Sequence, residues 1–289
     1  MTVVGCGYTG MRLAGLCAAA GRDVLGLARS AASVARLCAA GVRAAPLDLD
    51  DPPAALPAQW TAARAVVYMV PPPDSGATDP RVGAFVARLA APPGALVYLS
   101  TTAVYGDTGG AAVDEDTPPA PGADRGRRRL DAESAVRSWG DLAGVPVRIL
   151  RVPGIYGPGR LPLERLRQGM PVPRAVEAGP GNRIHVDDLA AACLAAADHA
   201  GPLQIFNVGD GVHLSTTEYF RLVARAAGLP PPVELPLAEL LERVPAGLRG
   251  FLAESRRVDV RRMREVLGFS PRHTDLAEGI RSALGEANG

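Results

Sequence analysis

The sequence contains no lysine; all 31 of its basic residues are arginine. Aromatic residues make up only 4%, cysteines number four, and the formal net charge is +1. A chain with no strong overall field and few stacking rings has no general means of recruiting nucleic acid, so that partner is excluded. The longest apolar run beside an expected helix, Leu189–Ala197, is far shorter than the ~20 residues a membrane span requires, so no membrane partner is expected. Cys6, Cys17, Cys38 and Cys193 show neither paired spacing nor C-x-x-C, and read as small buried hydrophobes in a reducing compartment. The N-terminus lacks a basic stretch leading into an apolar one, so no secretory signal is expected and a cytoplasmic location is.

What is present has a clear rhythm. Apolar residues make up 47% of the 289 positions, enough for a sizeable core without disulfides or metals. Short Val/Ile/Leu runs alternate with Ala/Leu/Arg stretches of helical spacing, the pattern of βαβ units around a parallel sheet. Strands are expected at Thr2–Val4, Asp23–Ala28, Val42–Leu47, Ala65–Val70, Ala95–Ser100 and Val147–Val152, with helices at Met11–Ala20 and Ser30–Ala40. Six such strands give an α/β fold with a doubly wound (Rossmann) sheet. The stretch from Gly106 to Asp124 reads as a long loop, a length usually reserved for function or mobility. Beyond Gly159 the alternation becomes irregular. Ser215 and Glu218 form a capping-box pattern, and Val260–Leu267 and Asp275–Leu284 read as amphipathic helices.

Gly5-Cys6-Gly7-Tyr8-Thr9-Gly10 follows the first strand and opens a helix. Its glycines suit a tight turn, a close approach of backbone to a pyrophosphate, and close helix–strand packing, while the helix N-terminus offers N–H groups and a positive dipole end. Gly5, Gly7, Tyr8, Thr9 and Gly10 are therefore candidate dinucleotide-binding residues, with Val70 and Pro71 beyond the fourth strand. The second strand ends at Ala28-Arg29-Ser30, without the carboxylate that would hold a ribose 2′-hydroxyl. Arg29 would pair with a 2′-phosphate and Ser30 would donate to it, so NADP is expected over NAD. Asp48 is placed to receive the adenine amine.

Ser100-Thr101-Thr102-Ala103-Val104-Tyr105-Gly106 follows the fifth strand, and three further blocks come in order: Leu150–Gly159, Arg183–Leu189 and Phe206–Asp210. Together these resemble the extended short-chain dehydrogenase/reductase family, the NAD(P)-dependent epimerases and dehydratases. The resemblance implies a dinucleotide-binding unit over residues 1–158, with 184–210 adding sheet and helix, and a substrate-binding region mostly in 159–289. It also implies that Thr101 hydrogen-bonds the substrate oxygen, that Thr102, Arg125 and Arg183 face substrate, and that sheet-flanking helices pair into a homodimer. The family's Tyr-x-x-x-Lys pair falls on Arg125 and Arg129, so the usual proton-donating dyad is absent. A guanidinium can orient a ribose, a role assigned to Arg129, but it cannot replace a phenol as acid. Tyr105 and Tyr156 are the candidate proton donors in its place.

The basic run Arg125–Arg129 suits either diphosphate contact or a solvated helix face. His185, His199, His213 and His273 lack metal-ligand spacing, so no metal site is expected. His185 reads as structural, and Asp188 as a cap or anchor for the following helix. No G-x-S-x-G elbow supports a hydrolase. Two functional readings follow. One is an NADP-dependent oxidoreductase or epimerase acting on a hydroxyl or carbonyl of a small polar substrate such as a nucleotide sugar. The other is a catalytically silent NADP-binding sensor that has lost the dyad and kept the glycine loop.

Overall fold

The computed structural model describes residues 1–202, 204–244, 249–250, 252 and 254–287. In chain order its first half runs β1 (Thr2–Val4), α1 (Tyr8–Ala19), β2 (Leu25–Ala28), α2 (Ala31–Ala39), β3 (Arg43–Pro46), α3 (Ala58–Thr61), β4 (Ala65–Tyr68), α4 (Pro80–Ala87), β5 (Ala95–Thr101), β6 (Ala112–Val113) and α5 (Asp124–Ala143). There follow β7 (Val147–Val152), β8 (Gly154–Tyr156), α6 (Leu163–Arg167), β9 (Val172–Pro173), β10 (Arg183–His185), α7 (Val186–Asp198) and β11 (Gln204–Asn207). The chain ends with α8 (Thr216–Ala226), β12 (Glu234–Leu235), α9 (Leu237–Arg243), β13 (Arg257–Val258), α10 (Arg261–Glu265) and α11 (Leu276–Ala287).

The expected fold class is observed: seven parallel strands in the order β11-β7-β5-β4-β1-β2-β3 form a doubly wound sheet. The seventh strand, β11, adds to the six runs read from the strand pattern and lies within the 184–210 stretch from which further sheet was expected. It is short and only half apolar, so its periodicity is weak, and it pairs with β7 from Gln204 opposite Arg148 to Asn207 opposite Arg151. The expected bounds also shift. Helix α1 starts at Tyr8, directly on the glycine loop, and β4 stops at Tyr68, freeing Val70 and Pro71 from the ladder. Pro46 ends β3, which is an edge strand and so tolerates a residue with no N–H.

The central strands are buried at nearly every position because both faces of the sheet are covered. Val3, Val67, Val97 and Leu150 pack on one side with Leu13, Cys17, Leu189 and Cys193. Val4, Tyr68, Leu96, Tyr98 and Ile149 pack on the other with Phe85, Ala132 and Val136. A smaller third core joins Tyr156, Leu166, Val172, Phe220, Val223 and Ile280, and carries the irregular part of the chain. Cys6, Cys17 and Cys193 are buried as expected, and burial pushes the Cys6 thiol up to about 12, whereas Cys38 is exposed on the outer face of α2. The Gly106–Asp124 stretch is not all loop: β6 within it pairs with β13, which brings residues around 255 back to the sheet's carboxyl edge.

Candidate active site

Two cavities open along the carboxyl ends of the parallel strands, where doubly wound sheets place ligands. The larger, about 700 Å³, lies beyond β1, β2, β3 and β4 and is lined by Gly5, Gly7, Tyr8, Arg29, Asp48, Val70 and Pro71 among others. The loop's glycines have separable physical causes. A side chain on Gly5, whose φ is +79°, would meet Val70 at 2.8 Å, and one on Gly10 would meet Cys6 and Val3 at 3.1 Å, so both glycines serve close packing. One on Gly7 would find only the Gly5 carbonyl, at 3.9 Å, so that position keeps open space beside the first turn of α1. That turn carries no acidic residue, and Gly7 supplies no side-chain cap to its N–H groups. Open space, free amides and a positive dipole end fit a dinucleotide pyrophosphate.

At the far end of this cleft the arginines are arranged differently from expectation. Arg29 is 69% exposed, 3.7 Å from Asp50, and faces the cleft. Ser30 caps α2: its Oγ accepts from Ser33 N at 3.2 Å and donates to Ser33 Oγ at 3.0 Å. The groups that line the cleft from α2 are Ser33 and Arg36, with Arg36 donating to Ser33 Oγ at 3.0 Å. Asp50 is held by a fork of two 2.6 Å bonds from Arg81, and this guanidinium keeps its carboxyl below the usual range. Asp48 accepts from Asp50 N at 2.9 Å while facing the cleft.

The second cavity, about 320 Å³, gathers Thr101, Thr102, Arg125 and Arg183 from three separate sequence blocks. Thr101 ends β5, and its Oγ1 accepts from Ala103 N at 3.2 Å, capping the short 3-10 turn that follows. Helix α5 reaches this turn through Gly126: a side chain there would meet the Ala103 carbonyl at 2.7 Å. That close approach sets Arg125 at the cavity wall. Arg183 is buried, stacks 4.2 Å over the Tyr219 ring and donates to the Leu214 carbonyl at 2.6 Å. Burial pulls its pKa down, with Tyr219 and Asp210 opposing. Glu254 and Arg256, which sequence reasoning missed, complete the wall.

Three candidates lie elsewhere. Arg129 donates to the Leu99 carbonyl at 2.7 Å and to Tyr98 Oη at 3.2 Å, bracing the end of β5. Tyr105 is buried beneath Arg151, 4.8 Å from its ring centre, and donates to Asn207 Oδ1 at 2.7 Å. Tyr156 packs in the third core against His185 and Tyr219, and burial together with Asp210 raises its pKa further above the usual phenol range. Neither phenol is among the residues lining the two cavities.

A family model for the NAD dependent epimerase/dehydratase family matches residues 1–209. The chain belongs to that family. Among curated relatives, a UDP-glucose 4-epimerase of Corynebacterium glutamicum is 27% identical over 223 residues, covering 66% of this chain and 64% of its own length. The chain spans from 47% to 64% of the length of this and neighbouring curated relatives. A solved structure of a functionally unknown conserved protein from Silicibacter pomeroyi superposes with a TM-score of 0.82 at 27% identity, covering 100% of this chain and 99% of that one. MoeE5, solved in complex with UDP-glucose and NAD, superposes with a TM-score of 0.77 at 23% identity over 99% of this chain and 98% of its own, a likeness of fold.

His185, Asp187 and His273 bring donor atoms within 4.8 Å of one another. The two imidazoles stack, with centroids 3.8 Å apart and planes inclined by 26°. Lone pairs lie in their own ring planes, so two nearly parallel rings cannot both reach one ion at the ~2.0–2.1 Å of a metal–nitrogen bond. Asp187 is also paired with Arg12 at 3.3 Å. The cluster is structural: His185 accepts from Asp187 N, and Asp188 accepts from the backbone of Arg272 at 2.8 Å and His273 at 2.9 Å. Asp188 thus anchors the C-terminal segment to α7, and His185 takes the capping position.

Proposed function

We propose that this protein is an NADP-dependent oxidoreductase or epimerase acting on a hydroxyl or carbonyl of a small polar substrate, with a nucleotide sugar as the leading class. One observation carries the reading: the glycine-loop cleft and the Thr101 cavity open on the same sheet edge, on opposite sides of the β1–β4 switch point. When bound, the nicotinamide dinucleotide supplies the hydride acceptor or donor. The amides opening α1 hold its pyrophosphate, and Arg29, Arg36 and Ser33 meet a 2′-phosphate with charge and hydrogen bonds. Asp48 takes the adenine amine. In the smaller cavity Thr101 Oγ1 accepts from Ala103 N, which leaves the hydroxyl hydrogen for the substrate oxygen. The names of the curated epimerase relative and of the MoeE5 complex support a nucleotide-sugar substrate.

Incubation of the purified chain with NADPH and a panel of carbonyl compounds, followed optically, tests the redox reading. Chromatography of nucleotide sugars incubated with the NADP-loaded protein tests the redox-neutral one. Turnover in either supports the proposal. Firm NADPH binding without turnover in both would favour the sensor reading, which rests on the missing dyad and on the two phenols being packed away from the cavities.

A further inference from the structure

Arg125 stands where the family places its phenol, and the structure shows what it holds there. Its guanidinium lies 3.3 Å from Glu254 Oε2, and the same oxygen accepts from Arg256 Nη2 at 2.7 Å. Arg256 also donates to the Thr102 carbonyl at 3.0 Å, which fixes this cluster one residue from the Thr101 hydroxyl. The side chain of Arg256 is 8% exposed and that of Glu254 9%, and the Nε of Arg256 has no hydrogen-bond partner among the described residues. Two guanidiniums, Arg256 buried and Arg125 39% exposed, thus converge on one carboxylate oxygen at the cavity wall. A positive excess beside a buried guanidinium favours an anion there.

We propose that the Arg125–Arg256 pair is a carboxylate-binding subsite at the reacting end of the cavity, and that Glu254 fills it as an internal stand-in until a substrate carboxylate displaces it. The inference rests on the substrate-cavity reading above and deepens it to a substrate class: a polar hydroxy or keto compound bearing a carboxylate near the reacting carbon. A carboxylate fits because the pair already grips one through charge-assisted bonds. The position beside Thr101 distinguishes this subsite from one for the diphosphate of a nucleotide, which would lie away from the reacting carbon.

Matched ligands separate these sources of charge. Calorimetric titration of the NADP-loaded full chain would compare UDP-glucuronate with UDP-glucose, which share nucleotide and diphosphate, and D-glucuronate with D-glucose. The carboxylate-bearing member of at least one pair should bind about ten- to hundred-fold more tightly. Arg125→Gln should erase that preference, read as the ratio of the two affinities within each pair. Glu254→Gln, which weakens the internal competitor and keeps its shape, should tighten the carboxylate ligand further. Equal affinity within both pairs, binding of none of the four, or a preference that survives Arg125→Gln overturns the subsite. Separate titration with NADPH reports the dinucleotide reading independently, so its failure is distinguishable from that of the carboxylate subsite.

Discussion

At the residue scale, the proposed preference for NADP rests on three side chains at the end of the cleft, Arg29, Ser33 and Arg36. Arg29 is visible in the sequence because it sits where a family acid would, but Arg36 and Ser33 lie a turn or more into α2 and reach the same wall only through helical geometry. Arg36→Ala should weaken NADPH about tenfold and leave NADH unchanged, as loss of one charge-assisted contact predicts, measured by fluorescence titration of each dinucleotide. In the proposed reaction Thr101 donates to the substrate oxygen in the smaller cavity. Thr101→Val removes the hydrogen offered to the substrate oxygen and should lower kcat by about 10²–10³, the loss expected for one preorganised donor. Steady-state kinetics checks it, and a change confined to KM would assign Thr101 to binding alone.

At the element scale, the site depends on β5, β7 and α5 staying in register beneath it. Glu133 of α5 accepts from Arg151 of β7 at 2.8 and 3.1 Å and from Ser100 of β5, all buried. Removing one member of a buried pair leaves an uncompensated charge, so Glu133→Ala should cost about 3–5 kcal/mol in urea unfolding. Replacing both charges with apolar groups should cost much less. The sequence made the strands and the glycine loop readable because buried parallel strands are mostly apolar and the loop's turn needs glycine. It hid β11, whose Gln204 and Asn207 break the apolar run. It hid Glu254 and Arg256 for another reason: the pairing of β13 with β6, about 145 residues upstream, carries them to the cavity, and no local spacing encodes a contact so distant.

At the scale of the whole molecule, stability should fall on the alkaline side of a buried acid. Asp210 is 3% exposed, and burial raises its pKa from 3.8 to about 6, with Val212 N and Arg183 only partly opposing. An acid whose native pKa exceeds its unfolded value binds its proton more tightly when folded, so stability declines as pH rises from about 4 through about 6 and is flat above. Asp210→Asn should remove that decline, worth on the order of 2 kcal/mol, in melts across the range. A wild-type profile without a drop in this window would place the proton elsewhere.

The whole architecture converges on one proposed physical claim: amides at the opening turn of α1 hold a dinucleotide whose additional phosphate is met by Arg29 after β2 and Arg36 of α2. Isothermal titration of the full chain with NADPH and NADH in parallel addresses it most directly. The account predicts saturable heat with NADPH and an affinity for NADH about ten- to hundred-fold weaker. Tighter NADH binding would contradict the role of Arg29 and Arg36, and no heat with either would contradict the cofactor site itself.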